Sequence, residues 1–306
     1  MQTVLISGGT GLVGSRLTEL LLAKNYKVIV LSRNANIGST NTMLSYAEWN
    51  VEQQTIDATA IEQADYIVHL AGAGVADKRW TKERKEEIVH SRTQSSALLV
   101  KALKENTHQV KAVISASAIG WYGPDPAKHK NGFEEKDEPA TDFLGNTCKL
   151  WETSIEPVEL LGIRLVKLRT GIVLSAKGGA LKEFLKPIKL GIAAILGSGK
   201  QMVSWIHIDD LCKQFIYAIE NTNLQGSYNS VAPSPVNNRQ LILTIAKKSR
   251  GKFFIPIHVP AFVLKIMLGE MSIEVLKSTT VSSKKIHNTG FAFSYPTIES
   301  AIADLV

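Results

Sequence analysis

The sequence predicts a doubly wound α/β fold on a parallel sheet, with a smaller, mostly helical domain closing over the sheet's carboxyl edge. Three observations carry this. Short runs of consecutive apolar residues alternate with helical patterns through the first 170 residues, as strands covered on both faces require. A glycine-rich turn, Ser7 to Gly14, follows the first of those runs directly. After Thr170 the rhythm breaks, and glycines and then prolines punctuate the chain.

Val4–Ser7, Lys27–Leu31, Tyr66–Ala71, Lys111–Ser115 and Arg164–Leu168 read as strands because each is short and apolar on consecutive positions. A shorter strand is expected around Leu44–Asn50. Helical spacing occupies Leu12–Ala23, Lys82–His90, Thr93–Lys104 and Asn146–Leu161. Beyond Thr170, Val203–Ile208 and Asp209–Glu220 return to strand and helix. Arg239–Lys248, Ala261–Leu268 and Ile298–Leu305 are further helical runs among Pro233, Pro235, Pro256 and Pro260. The reading is a nucleotide domain over 1–170, completed by about 203–230, with 171–202 and 231–306 forming the smaller substrate-side domain.

Composition narrows the function. The 306 residues are 44% hydrophobic and 21% charged, a globular balance. No apolar run reaches the roughly 18–20 residues that span a bilayer, and no membrane partner is expected. A strand beginning at Thr3 leaves no room for a basic leader, so a cytoplasmic monomer or homodimer is expected. The net charge of +7 invites nucleic acid, but the densest basic cluster, Lys78–Lys85, is interleaved with Glu83 and followed by Glu86 and Glu87. That is a mixed helix face rather than a stripe tracking a phosphate backbone. Cys148 and Cys212 suggest no disulfide framework, and no His/Cys/Asp/Glu spacing suggests a metal.

The turn Ser7–Gly14 carries the first chemistry. Gly8 suits the tight turn, Gly11 admits a pyrophosphate, and Gly14 allows close packing of helix on sheet; Thr10, Leu12 and Val13 complete the loop. Amides opening the next helix would receive phosphate charge. This is the Rossmann arrangement for a dinucleotide. NAD sites place an acid about 20 residues downstream, yet no Asp or Glu lies between Glu19 and Glu48, and the second strand ends in Ser32-Arg33. A guanidinium there suits a 2′-phosphate, so NADP(H) is the expected cofactor, although Arg33 can also be read as a plain surface residue.

The sheet's carboxyl edge supplies the other candidates. Leu70, Ala71 and Gly72 are small or apolar residues against which a cofactor can lie, while His69 reads as packed and hydrogen-bonded. Ser115 ends the next strand as a further cofactor contact, and Ser117 just beyond it can bond a reacting oxygen. Tyr122 is the nearest phenol for acid–base work; together with Trp121 it reads equally as an aromatic wall. Trp205 and His207 alternate on one strand and so share a face; both, with Trp121, are candidate substrate contacts, and His207 can instead support Asp209 and Asp210 as helix caps. Arg79 or Arg92 can hold an anionic substrate or a cofactor phosphate, or belong to a salt-bridged helix surface with Glu83, Glu86 and Glu87.

These motifs resemble the extended short-chain dehydrogenase/reductases. AGAGVADKRWTKERKEEIVHSR, SASAIGWYG, CKLWE, GSGKQMVSWIHIDD, LGEMSIEVLKSTTVSSKKI and GFAFSYP resemble, more narrowly, the sugar-nucleotide-epimerase-like family with its C-terminal domain of unknown function. The resemblance spans essentially the whole chain. It implies an NADP(H)-dependent oxidoreductase or epimerase acting on a hydroxyl or carbonyl of a small polar or nucleotide-linked substrate, with Ser117 at the superfamily's serine position. It also implies a Tyr-x-x-x-Lys helix. None occurs; either Phe143/Thr147 or Leu144/Cys148 takes its place, and Glu152 favours the second register. A non-catalytic NADP(H)-binding redox or metabolite sensor is the competing reading. Cys148, as a buried helical cysteine, is expected to be inert.

Overall fold

The computed structural model of the chain describes residues 1–34, 38–126 and 132–306. The βα rhythm becomes β1 (Thr3–Ser7), α1 (Leu12–Ala23), β2 (Lys27–Ser32), β3 (Leu44–Asn50), β4 (Thr55–Ile56), α2 (Ala58–Gln63), β5 (Tyr66–His69), α3 (Lys82–Glu105), β6 (Ala112–Ala118), α4 (Phe143–Ile155) and β7 (Arg164–Thr170). The two helices expected between 82 and 104 are one helix of 24 residues. No glycine or proline interrupts that segment, so nothing breaks the hydrogen-bond ladder. The helix expected over Asn146–Leu161 instead starts at Phe143, behind the Asp142 cap, and tightens to a 3-10 turn over Glu156–Leu161, where Pro157 removes a donor.

The remaining elements are β8 (Ile172–Ser175), β9 (Gly178–Gly179), α5 (Ala180–Lys189), β10 (Ile192–Leu196), β11 (Met202–Val203), β12 (Trp205–His207), α6 (Ile208–Glu220), β13 (Gly226–Ser230), β14 (Val236–Asn237), α7 (Asn238–Arg250), β15 (Ile255–Val259), α8 (Ala261–Leu268), α9 (Ser272–Leu276), α10 (Lys284–Asn288) and α11 (Ile298–Leu305). The main sheet runs β13-β7-β6-β5-β1-β2-β3-β4 and is parallel except for β4. It is a Rossmann-type sheet flanked by helices, with a smaller, largely helical C-terminal region. Three short sheets, β10-β15, β11-β14 and β12-β8-β9, belong to the rest of the chain.

Strand alternation builds two cores. Val4, Ile6, Val68 and Ile114 pack with α1 and α6 on one face; Leu5, Ile67, Val113 and Leu165 pack with α3 on the other. A third cluster, around Trp205, Leu241 and Ile302, fills the smaller region. Arg16 of α1 bonds both oxygens of Asp209 on α6, at 2.7 and 2.9 Å, locking together the two helices that cover the first face. Because β2 to β4 grow one way from β1 and β5 to β13 the other, the topological switch lies between β1 and β5. A doubly wound sheet opens its ligand crevice there.

Candidate dinucleotide site

Gly8 takes φ +73°, and a Cβ there would meet the Leu70 carbonyl carbon at 2.9 Å, so the loop after β1 and the loop after β5 touch at the switch point. A Cβ on Gly14 would stand 2.3 Å from the Gly8 carbonyl oxygen; only glycine lets α1 start this close to the strand. Gly11 differs: a Cβ there would meet only the Gly8 oxygen, at 3.3 Å, which leaves its outer side open. Gly11 is also the N-cap of α1, gives no side-chain cap, and no acid occupies the first turn. The amides of Leu12 and Val13 therefore begin the helix without an intrahelical acceptor, as every first turn does, beside an exposed Thr10. The hairpin β8–β9 leans on this loop through Gly179, whose Cβ would sit 3.2 Å from Leu12. The cradle fits a pyrophosphate: open backbone, available donors and no competing carboxylate.

Ser32 and Arg33 end β2. The Ser32 hydroxyl accepts from the Asn34 amide at 3.2 Å, and Arg33 is exposed.

Beside the cradle, His69 is fully buried. Its Nδ1 lies 2.6 Å from the Ser7 hydroxyl and its Nε2 3.1 Å from that of Ser96. Burial pushes its pKa down to about 3, helped by the nearby Arg92 charge, so this neutral imidazole ties β1, β5 and α3 together. The packed role expected of it is the one found. Leu70 and Ala71 are half-buried and Gly72 exposed along the same edge. Of the two arginines expected to hold an anion, Arg92 is the one at this edge. Its guanidinium carbon would be 3.1 Å from a Cβ on Gly72, it donates to the carbonyls of Ala73 and Ile88, and it lies 4.9 Å over Trp151. Among the buried arginines described, Arg84 has Glu87 and Arg169 has Glu152, whereas Arg92 has no carboxylate.

The end of β6 departs from expectation. Ser115 and Ser117 share the strand face that looks toward α4, and both are buried. The Ser115 hydroxyl donates to the adjacent Ala116 carbonyl. Ser117 donates to Glu152 at 2.7 Å, and the same carboxylate takes Arg169 at 2.7 and 3.1 Å and Ser227 at 3.2 Å. Burial pushes the Glu152 carboxyl up, but Arg169, Ser117 and Lys167 overcome it and hold it below the usual carboxylate range. Ser117 is thus a member of a buried ion-pair network rather than a group facing a reacting oxygen.

Tyr122 is likewise fully buried, donating to Asn229 at 2.7 Å and accepting from Arg169 at 3.0 Å. Its burial outweighs Arg169 and pushes the phenol up to about 12, and both of its hydrogen bonds stay within the protein. Trp121 donates to the Asp137 carbonyl and carries the Arg169 guanidinium 3.6 Å from its ring centre, so it roofs the network.

Helix α4 presents Leu144 and Cys148 to this edge. A Cβ on Gly120 would meet them at 3.2 and 3.5 Å, which selects the Leu144/Cys148 register over Phe143/Thr147; Phe143 turns instead to Trp80. The backbone of Ala118 hydrogen-bonds the Cys148 sulfur, and burial, with the Glu152 charge, pushes the thiol up to about 12. The site therefore offers a leucine and an un-ionised thiol where acid–base catalysis would want a phenol and an ammonium.

The remaining candidates separate. Trp205 is wholly buried in the third core and donates to the Ser234 carbonyl, which corrects its expected substrate contact. His207 is 1% exposed, stacks on Tyr295 and pairs with Asp304. It caps α6 itself, accepting from the Asp209 amide at 3.1 Å, so the caps expected of the aspartates are replaced by a histidine. Asp210 instead anchors the C-terminal segment by accepting from the amides of Ser294 and Tyr295. Arg79 is exposed beside Gly269. Asp125 accepts from Ser278, the Thr280 amide and the Thr280 hydroxyl at 2.6–2.7 Å, strapping the loop after β6 to the segment after α9.

The family model described as the NAD dependent epimerase/dehydratase family matches residues 4–231. The chain belongs to the NAD dependent epimerase/dehydratase family. A domain of unknown function (DUF1731) matches residues 259–305 of this family member. It is similar to epimerase family protein YfhF of Bacillus subtilis, 33% identical over 100% of this chain and 98% of that protein. It is also similar to epimerase family protein SSP1921 of Staphylococcus saprophyticus, 34% identical over the whole of both. The crystal structure of human epimerase family protein SDR39U1 (isoform 2) with NADPH superposes with a TM-score of 0.86, at 28% identity over 99% of each chain. Family membership thus extends the likeness through the C-terminal region.

Proposed function

We propose that this epimerase-family chain binds NADP(H) and acts as an oxidoreductase or epimerase-like enzyme on a hydroxyl or carbonyl of a small polar, nucleotide-linked substrate. The observation that carries the cofactor is the open Gly8–Gly14 cradle followed, at the end of β2, by Ser32 and an exposed Arg33, with no acid in the chain between Glu19 and Glu48, the latter lying across from Ser32 on β3. NADPH in the human relative's crystal structure supports the same choice. In this reading Thr10, Gly11, Leu12 and Val13 meet the pyrophosphate through the backbone, Arg33 meets the 2′-phosphate, and Leu70, Ala71 and Gly72 line the crossing over the sheet edge. The backbone at Ser115 contributes there too, its hydroxyl being turned inward. Bound cofactor supplies hydride transfer. The chain's part is to orient the ring against Gly72 and to place Arg92 as a buried cation beside a developing oxyanion; Arg79 at the rim meets the substrate's anionic end.

A second reading, an NADP(H)-binding sensor without turnover, is favoured by one observation: Leu144 and Cys148 occupy the positions facing Gly120. Losing a general acid–base removes roughly 10²–10⁴-fold in rate. Calorimetry with NADPH and NADH on the wild type and on Arg33→Ala tests the cofactor. We expect tighter NADPH binding and an Arg33→Ala loss of about tenfold confined to NADPH, because an exposed charge-assisted contact contributes about 1.5 kcal/mol. Equal or tighter NADH binding refutes it. A panel of nucleotide-linked carbonyl substrates, followed by reduced-nicotinamide absorbance, then separates the readings, since stable bound NADPH without oxidation favours the sensor.

A further inference from the structure

We infer that the face formed by the α5–β10 turn, β15 and α8 docks on the surface of an anionic phospholipid bilayer. The first observation is unburied apolar surface. Phe253 is 82% exposed, Leu190 81%, and Ile255, Phe262, Ile266 and Met267 each more than 60%. Such side chains expose on the order of 100 Å² each, about 600 Å² in all, at the top of the roughly 300–600 Å² range of the largest patch on a monomer. Hydrogen bonds show part of the cluster assembled: the Ile255 amide donates to Gly191, and Arg250 donates to both Lys189 and Phe253 carbonyls, which brings Leu190 beside Phe253 and Ile255. Helix α8, AFVLKIML, buries only Leu264.

The second observation is charge. No acidic residue lies between Glu220 and Glu270, while Arg239, Lys247, Lys248, Arg250, Lys252 and Lys265 do. Lys189 joins them across the Arg250 bond. Lys189, Lys247, Lys248, Lys252 and Lys265 are exposed, and among the described residues neither they nor Arg250 pair with a carboxylate. Protruding apolar side chains ringed by unpaired lysines are what a lipid interface takes up: acyl chains receive the former and headgroup phosphates the latter.

Other occupants fit less well. A second copy in an isologous dimer would face its own cations. Strand addition is blunted too: the Ile255 amide points to β10, so the neighbouring nitrogen faces outward, and it belongs to Pro256, which has no proton to donate. Protein interfaces favour arginine and are depleted of lysine, whereas lysine dominates here. The sequence-based exclusion of a membrane rested on spanning length. Among the described residues no helix is long and apolar enough to cross a bilayer, and a surface attachment requires none.

The test is co-sedimentation of the full chain with vesicles of phosphatidylglycerol and phosphatidylcholine, against vesicles of phosphatidylcholine alone. We expect at least tenfold stronger binding to the anionic vesicles, weakening with added salt. Reversal of three cations in Lys248→Glu/Lys252→Glu/Lys265→Glu should cost at least about a hundredfold, at about fivefold per cation lost before the repulsion of the new carboxylates is counted. Phe253→Ser/Phe262→Ser should cost at least tenfold at unchanged salt dependence. Far-ultraviolet dichroism melts of both variants establish that they are folded, these positions being exposed. A wild type that stays in the supernatant, equal binding to neutral vesicles, or binding that survives the charge reversals overturns the proposal. A dimer in sedimentation velocity that only Phe253→Ser/Phe262→Ser dissolves, without vesicle binding, assigns the face to a second copy. Retention on immobilised polyglutamate without vesicle binding assigns it to an acidic polypeptide.

Discussion

Replacing Ser117 by alanine separates a structural serine from a catalytic one. The hydroxyl lies 2.7 Å from Glu152, with both side chains buried. A hydrogen bond to a buried charge contributes about 1.5–3 kcal/mol. Glu152 keeps both Arg169 contacts and Ser227, so the lower figure applies. About 1.5 kcal/mol in a chain of this size lowers Tm by roughly 2–3 °C. Arg169→Met should cost more, about 3–5 kcal/mol, because it strands a buried carboxylate that Lys167, at 3.5 Å, only partly neutralises.

The pH dependence has a definite sign. Glu152 is held below its unfolded value, near 4.3, so the stability it lends is complete above that value and is lost as pH falls through the lower folded one. The Ser117→Ala penalty should therefore be full at pH 7 and shrink below about pH 4. Melting curves at several pH values, paired with NADPH titration, are the assay. An unchanged Tm with NADPH affinity down tenfold would place Ser117 against the ligand and refute this account.

Further outcomes follow from single contacts. Gly11→Glu should fold, since its Cβ would meet only the Gly8 carbonyl oxygen, at 3.3 Å, yet lose dinucleotide binding in calorimetry through charge and bulk; Gly14→Ala, whose Cβ would stand 2.3 Å from a carbonyl, should be destabilised in melting curves by about 1–3 kcal/mol. Asp125→Asn weakens three bonds to Ser278 and Thr280, and limited proteolysis should then cut the segment after α9 faster while the main sheet stays intact. Cys148, with its thiol pushed up to about 12, should resist iodoacetamide at pH 8 in the native chain and react on unfolding; rapid native labelling seen by mass spectrometry would contradict the burial.

The sheet was legible because its signal is local. Consecutive apolar residues mark β1, β2, β5, β6 and β7, and the glycines at 8, 11 and 14 carry steric demands that only a close strand–helix turn satisfies. What sequence could not supply was the partner of a polar side chain. Trp205 and His207 do share a face, as alternation requires, but that face packs on the third core and on Tyr295. Nothing near His207 in the chain announces Tyr295 or Asp304, about ninety positions away. The single helix Lys82–Glu105 was split in the reading because its mixed charge obscured a continuous ladder. One signal separates Arg92 from Arg79, a cation on the helix face that otherwise carries Ile88, Ser95, Ser96 and Leu99: a guanidinium among core positions needs acceptors, and the carbonyls of Ala73 and Ile88 supply them.

The reassignment of Ser117 and Tyr122 bears directly on the chemistry. Parity along β6 sends Ser115 and Ser117 toward α4 and leaves Ala116 and Ala118 on the opposite, half-buried face. The two hydroxyl groups at this edge are thus engaged within the fold: Ser117 on Glu152, which also takes Arg169, and Tyr122 on Asn229. Leu144 and the un-ionised Cys148 fill the space beside Gly120. Installing one missing group would not recreate a catalytic couple, because a lysine at 148 would be buried near the Arg92 charge and would lose its proton to desolvation. The cation already present is Arg92, set beside the glycine edge without a carboxylate. Arg92→Lys keeps the charge but loses the planar fork that spans two carbonyls, whereas Arg92→Met loses both. If Arg92 stabilises an oxyanion, Arg92→Lys should retain part of any turnover and Arg92→Met none, at similar NADPH affinity; equal turnover in both would confine Arg92 to packing against Trp151.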